Sequence, residues 1–291
     1  WRHLGGGALY SNRALYGVDQ SVIMGLDQVD TSIRVLDMSR IGPILCNDPR
    51  DLGDGPPVKA MLIQNTNPAV VAPESSRVRE GFDRDDLFVC VHEQFMTETA
   101  ALADIVLPAT TFLEHDDLYQ GGGHTFLHIT RALISPIGES RSNHEVLCGL
   151  GKRLGATHPG FEMTEWELID DALRRSGYPG ADEAYAAKSV DCVKDFNTMH
   201  FIDGFAHPDG KFRFKPDWAA IGPNGAAMPP LPDFMPSIDH ATTERPFRMV
   251  TSPARGFLNT SFTETPTSQK LEGRPTVLIH PDDCARLGIE K

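Results

Sequence analysis

Four polar stretches carry the residue types that bind or transform ligands. The first is Asn65-Thr66-Asn67-Pro68. An asparagine amide both donates and accepts, so it can read a purine edge or bridge phosphate and ribose oxygens. Pro68 holds Asn67 extended. The same four residues also make a turn that closes a strand, and both readings stay open. The second is His92-Glu93, where a carboxylate at a strand end can accept two hydrogen bonds from ribose hydroxyls. An exposed pair at a sheet edge is the other reading. A hydrolytic role for His92 lacks a nucleophile nearby in sequence. The third is Glu114-His115-Asp116-Asp117, followed by His124 and His128. Its composition is that of a metal cluster, but HExxH spacing is missing and Gly121-Gly122-Gly123 blocks a helix between the histidines. It reads as a polar loop that touches a ligand or faces water. The fourth runs from Thr251 to Phe262 and packs Ser252, Pro253, Arg255, Phe257, Asn259 and Ser261 together. Such a loop suits a phosphate or pyrophosphate, with Arg255 making charge-assisted bonds. It is neither a P-loop nor a GxGxxG turn, and an ordinary surface loop is the alternative.

Three apolar runs lead into these stretches. Val58 to Ile63, Asp86 to Val91 and Asp104 to Leu107 are short, bounded by turn residues, and consistent with fully buried strands. Helix signals lie between them, from Pro73-Glu74-Ser75-Ser76 to about Phe82 and from Thr97 to Ala103. Strand and helix alternating at this spacing predict a parallel α/β sheet. An antiparallel meander would need hairpin turns between the runs, and none are visible. Ligands of such sheets sit beyond the carboxyl ends of the strands, where the polar stretches begin. For these residues to act together, Asn67, Glu93 and His115 must converge on one groove, with the loop after Val250 facing it. Further along, Ser142 and Glu145 have capping-box spacing, and a helix is predicted to about Leu154. Another starts near Thr164, with Leu168, Ile169, Ala172 and Leu173 on one face. His207 to Phe214 contains the Asp-Gly pair of a hairpin. Leu231 to Asp239 reads as a linker, Phe247–Val250 and Thr276–Ile279 as strands, and Pro281 to Gly288 as a short helix with its capping glycine.

The chain has 291 residues, 40% hydrophobic and 23% charged, which is ordinary globular composition and enough for about two domains. Its 27 Lys and Arg against 40 Asp and Glu give a net charge of −13. That balance repels phosphate backbones, so nucleic acid is not an expected partner. No apolar run reaches the roughly 18 residues of a spanning helix. Cys46, Cys90, Cys148, Cys192 and Cys284 are scattered without a C-x-x-C pair. Zinc or iron–sulfur ligation within the chain is therefore not expected, and buried thiols in a reducing compartment are. The chain opens on Trp1 and stops just after a helix, so it reads as an internal piece of a longer protein.

Taken in order, these segments resemble the molybdopterin oxidoreductases of the dimethyl sulfoxide reductase superfamily. The resemblance begins with Trp1-Arg2-His3-Leu4-Gly5-Gly6-Gly7 and includes Asn67-Pro68-Ala69-Val70. It is strongest from Val91-His92-Glu93-Gln94-Phe95-Met96-Thr97-Glu98-Thr99-Ala100 into Ala103-Asp104-Ile105-Val106-Leu107-Pro108-Ala109-Thr110, then Glu114-His115-Asp116. Gly138 to Asn143, the loop from Thr251 to Phe262, Glu272-Gly273-Arg274-Pro275 and Ile279-His280-Pro281-Asp282-Asp283 follow in their expected places.

The resemblance implies a cofactor of molybdenum or tungsten on two pyranopterin guanine dinucleotides, with small-molecule oxidation or reduction by two electrons. It implies cofactor contacts, not catalytic groups, for Asn65, Asn67, Pro68, His92, Glu93, His115 and Asn143. From a C-terminal barrel it implies further contacts by Ser252, Pro253, Arg255, Phe257, Asn259 and Ser261. Residues 1–57 would end a preceding α/β domain irregularly, and 58–155 would form the guanine-dinucleotide-binding α/β region. Residues 156–240 would be a helical and hairpin connection, and 246–291 the start of the barrel. The metal ligand and a 4Fe–4S segment would lie upstream, so this piece alone would not turn over substrate. An iron–sulfur or membrane-anchor subunit would be the electron partner. The expected compartment is the cytoplasm, with the periplasm open to a twin-arginine signal on an earlier segment. The alternative is a pterin-free structural subunit related to the large iron–sulfur subunit of NADH:quinone oxidoreductase. A nicotinamide dehydrogenase is disfavoured, because no GxGxxG occurs.

Overall fold

The computed structural model describes residues 16–30, 32–205, 207–218, 228–231, 233 and 241–290. Trp1 to Gly7 and most of the expected linker at 231–239 lie outside them.

The three apolar runs form one parallel sheet in the order β1 (Ala60–Gln64), β2 (Phe88–Glu93), β3 (Ile105–Pro108). Ile63 pairs with Val91 and Val91 with Val106, so the three strands end side by side. Alternation along the strands sends Ile63, Val89 and Val91 to one face. There they meet Leu45 of α1 (Ile41–Leu45) and Val78 and Phe82 of α2 (Ser75–Phe82) in a continuous core. Each fully buried aliphatic chain in it contributes roughly 1.5–3 kcal/mol. Close approach of α1 to α2 depends on glycine: a methyl group on Gly81 would lie 2.3 Å from the Leu45 side chain. The expected helix over 97–103 is shorter, a single 3-10 turn at Ala100–Leu102.

The polar stretch after Asp116 is not an irregular loop. Asp117–Gln120 (β4) and Phe126–Thr130 (β5) form an antiparallel hairpin, joined at its far side by the short β6 (Val190–Asp191). Gly121-Gly122-Gly123 is part of the turn, with Gly123 at φ +85°. Leu127 and Ile129 of β5 pack against Ile169 and Leu173 of the helix Glu165–Arg175, forming a second core with Tyr16 and Ala184.

The helix α3 (Asn143–Leu154) is started by the predicted capping box: Ser142 accepts from the Glu145 N–H and Glu145 from the Ser142 N–H. The next helix, α4 (Glu165–Arg175), buries Leu168, Ile169, Ala172 and Leu173 as its periodicity requires, and Thr164 and Glu167 cap it in the same way. Three expectations fail further on. Residues 207–214 turn at Asp209-Gly210 but form no paired strands. Phe205, Phe212 and Phe214 instead stack edge to face. Residues 247–250 and 276–279 are not strands either, and 241–290 holds two short helices, Pro266–Glu272 and Pro281–Leu287, with a lone bridge between Leu258 and Ser261. An apolar run becomes a strand only where a second backbone takes up its hydrogen bonds. None does so here among the described residues.

Candidate functional site

Each parallel strand releases the chain into the same region. Asn65 follows β1 in the left-handed conformation, at φ +53°. Gln94 follows β2, and Thr110 follows β3. These three, with His115, Asn143 and residues of 22–28 and 158–169, line a cavity of about 750 Å³. That volume lies within the usual range for small-molecule and cofactor sites. Its floor is the carboxyl edge of the parallel sheet, where α/β folds place ligands.

One wall is the N-terminus of α3. Ser142, Asn143 and His144 line the cavity there, with the partial positive charge of a three-turn helix behind them. The Ser142 side chain is spent on the cap, whereas Asn143 is exposed toward the opening. His144 donates from Nε2 to the Met163 carbonyl at 2.6 Å, which locks its ring. Part of the lining is acidic. Asp116, Asp117 and Glu165 all reach it. Arg131 restrains Asp116 through a 2.9 Å ion pair while stacking on Trp166, 3.2 Å from the ring centre. His115 lies beside these carboxylates. Its Nδ1 lies 2.8 Å from the Thr110 hydroxyl and its Nε2 is 3.6 Å from the Asp117 carboxylate. The carboxylate favours the proton on Nε2, leaving Nδ1 to accept from Thr110. Tyr119 also lines the cavity, and burial, then the Asp117 charge, push its phenol up, so it stays protonated.

The remaining strand-end residues serve the protein itself. His92 is completely buried: Nε2 donates to the Arg141 carbonyl at 3.0 Å, and Nδ1 accepts from the Gln64 amide at 3.1 Å. It ties the ends of β1 and β2 to the residue just before the α3 cap. Asn67 is also buried. Its Nδ2 donates to Glu98, and its Oδ1 accepts from the Thr99 N–H and hydroxyl. Pro68 starts the helical turn Pro68–Val71 beneath it. Glu93 folds back to accept from the Gln94 N–H at 2.7 Å. Buried Glu114 clamps the His115 loop, accepting from the Thr111 N–H and hydroxyl and from the Ile137 N–H. Those bonds, the Thr111 backbone first, hold its carboxyl below the ordinary range.

Asn65, His115 and Asn143 therefore meet in one cavity, while Asn67, His92 and Glu93 lie at the same sheet edge with their side chains engaged elsewhere. Ser252, Pro253, Arg255, Phe257, Asn259 and Ser261 are not part of the cavity lining. Their loop is tied instead to the helix Pro266–Glu272, where Glu272 accepts from the Gly256 N–H. Gln94, Thr110, His158 and Glu165 were not singled out from sequence. The strand-end rule could have found Gln94 and Thr110; only tertiary packing brings His158 and Glu165. A second cavity, of about 670 Å³, lies between the other sheet face and α3. It is lined by Leu62, Phe88, Cys90 and Leu150, with Arg141 and Arg153 among its few polar groups. Among the described residues, no group of three or more His, Cys, Asp or Glu is placed to hold a metal ion.

Residues 51–153 match the family model described as molybdopterin oxidoreductase. Over that stretch the chain is similar to the molybdopterin oxidoreductase family. It is 33% identical to the probable oxidoreductase YoaE of Bacillus subtilis over 99% of its own length and 41% of that protein's. It is 26% identical to the trimethylamine-N-oxide reductase of Haemophilus influenzae, covering 90% of this chain and 36% of the relative. The dimethyl sulfoxide/trimethylamine N-oxide reductase of Rhodobacter capsulatus is also 26% identical, over 80% and 32%. The chain thus spans well under half the length of these curated relatives. Its fold is similar to that of acetylene hydratase from Pelobacter acetylenicus, with a TM-score of 0.62 and 21% identity over 86% of this chain and 34% of the other. The family implies a molybdenum–pterin cofactor. The cavity fits part of such a group in size and donor set: amides, a helix N-terminus and carboxylates offer partners to a polar ligand carrying both donors and anionic oxygens.

Proposed function

We propose that the cavity holds a guanine nucleotide end of a bis-pterin cofactor in a longer molybdenum or tungsten oxidoreductase that oxidises or reduces a small substrate by two electrons. The observation that carries this is the meeting of Asn65, His115 and Asn143 at the carboxyl edge of a parallel sheet, inside the family's matched region. In this reading the α3 N-terminus faces phosphate oxygens, and the carboxylate wall faces the N–H edge of the base. The metal–pterin group supplies the electron chemistry. The residues described here bind, orient and shield one end of it. Substrate, electron-partner subunit and any 4Fe–4S cluster belong to the rest of the protein.

The test uses the full-length protein purified from a molybdenum-replete host. Metal analysis and release of guanine nucleotide on denaturation should give both in fixed ratio. Asn143→Leu and His115→Leu should lower nucleotide content several-fold while leaving the melting temperature of cofactor-free protein within about 2 °C. A wild-type protein free of metal and nucleotide refutes the proposal and favours a pterin-free structural subunit.

A further inference from the structure

One wall of the cavity is built unlike the others. Val22, Ile23, Met24, Gly25 and Gln28 line it. The helical turn Ser21–Met24 within them buries no residue, and Ile23 is 54% exposed and Met24 49%. The segment hangs between two firm anchors. On one side Tyr16 sits in the second core, its hydroxyl donating to the carbonyls of Gly121 and His124. On the other, Arg34 donates to the carbonyls of Leu52 and Pro56. Gly17 and Gly25 are both left-handed, at φ +55° and +58°, with no neighbour within contact of an added methyl. These are two points where the chain can swivel without a steric penalty. Between the anchors Val18 packs against the second core, and among the described residues two hydrogen bonds tie the segment to the helical wall. The Asp19 N–H donates to the Ser176 hydroxyl at 2.8 Å. His158 Nε2 donates to Asp27 at 3.1 Å, and its Nδ1 accepts from the Gly160 N–H. The imidazole is nearly enclosed, whereas the Asp27 side chain is 66% exposed.

We propose that residues 18–28 form a strap over the cavity, latched by the His158–Asp27 hydrogen bond, which swings out on Gly17 and Gly25 to admit the cofactor end and closes over it. Few buried contacts and two side-chain ties mark a segment at the low end of local stability. The apolar side chains it leaves half-exposed would cover the flat face of a ligand once closed. This rests on the proposed cofactor-binding role of the cavity.

The experiment compares full-length wild type, Asp27→Ala and Asp27→Asn. Asp27 is exposed, so neither change threatens folding, and asparagine keeps an oxygen for His158 Nε2. Amide hydrogen exchange at residues 18–28 should speed up about tenfold in Asp27→Ala and little in Asp27→Asn. Guanine nucleotide release from the loaded protein should accelerate by a similar factor, also rescued by asparagine. Unchanged exchange in Asp27→Ala overturns the latch. Faster exchange with unchanged nucleotide release overturns the gate. Wild type that carries no nucleotide removes the cofactor reading itself, and is told apart because the exchange measurement does not depend on the cofactor.

Discussion

Replacing Asn67 separates a structural asparagine from one that touches a ligand. Its carboxamide oxygen accepts from both the Thr99 N–H, at 3.2 Å, and the Thr99 hydroxyl, at 2.7 Å, and Thr99 is fully buried. Thr99 in turn accepts from the Ala69 N–H at 3.0 Å, which joins the end of β1 to the connection between β2 and β3. Asn67→Ala strands a buried backbone donor, which costs about 1–3 kcal/mol. Loss of the hydroxyl bond adds roughly 1 kcal/mol. The bond to Glu98 adds little, because that carboxylate is exposed and regains water. The total is about 2–4 kcal/mol, in the range of severe single substitutions. Urea denaturation of cofactor-free full-length protein, followed by amide exchange at β1 and Ala69–Ala72, should report it. Nucleotide content should fall only as far as the folded fraction does. Asn67→Asp should be destabilising at neutral pH, where it faces Glu98 with a second negative charge, and should recover part of the loss on acidification. If Asn67→Ala leaves stability within about 0.5 kcal/mol of wild type and abolishes nucleotide binding, the amide faces the ligand and the network described here is wrong.

Two further outcomes are expected. Ser142→Ala removes the hydroxyl half of the α3 capping box and should cost about 1 kcal/mol; denaturant midpoints check it, and a weakened nucleotide site should accompany it because the cap positions Asn143. Glu114 has a folded pKa held below its unfolded value by the Thr111 and Ile137 hydrogen bonds. Its contribution is therefore complete above the unfolded value of about 4.3 and is lost as pH falls through the lower folded value. The stability difference between wild type and Glu114→Gln should be constant at neutral pH and shrink below about pH 4; a difference that persists undiminished contradicts the assignment.

Elements whose cause is local could be read directly. Apolar runs ending in polar residues marked β1, β2 and β3, because a buried parallel strand needs unbroken apolar character on both faces. Ser142 with Glu145, and the spacing of Leu168, Ile169, Ala172 and Leu173, marked α3 and α4 for equally local reasons. The hairpin of β4 and β5 is not legible in the sequence, because three glycines that forbid a helix fit a loop as well as a turn, and only pairing decides between them. The apolar runs at 247–250 and 276–279 show the converse: the pattern is present and the partner backbone is not, among the described residues.

The strand-end pattern placed Asn65, Asn67, His92 and Glu93 along one sheet edge, since the ends of parallel strands lie together by construction, whereas Asn143 came only with the family resemblance. It did not say which side chains were free. His92 and Asn67 are enclosed, and a buried donor or acceptor must find a partner within the protein before it can serve a ligand. The apolar runs thus determined the sheet and the edge where its polar residues gather, and the quoted motifs carried the family resemblance. Tertiary packing decided that Asn65, His115 and Asn143 line the cavity, that Glu114 and His92 brace its edge, and that a segment near residue 25 joins the lining. Those outcomes depend on contacts between residues far apart in sequence, such as His158 with Asp27, 131 positions apart, and Asp19 with Ser176, 157 apart, which no local pattern encodes.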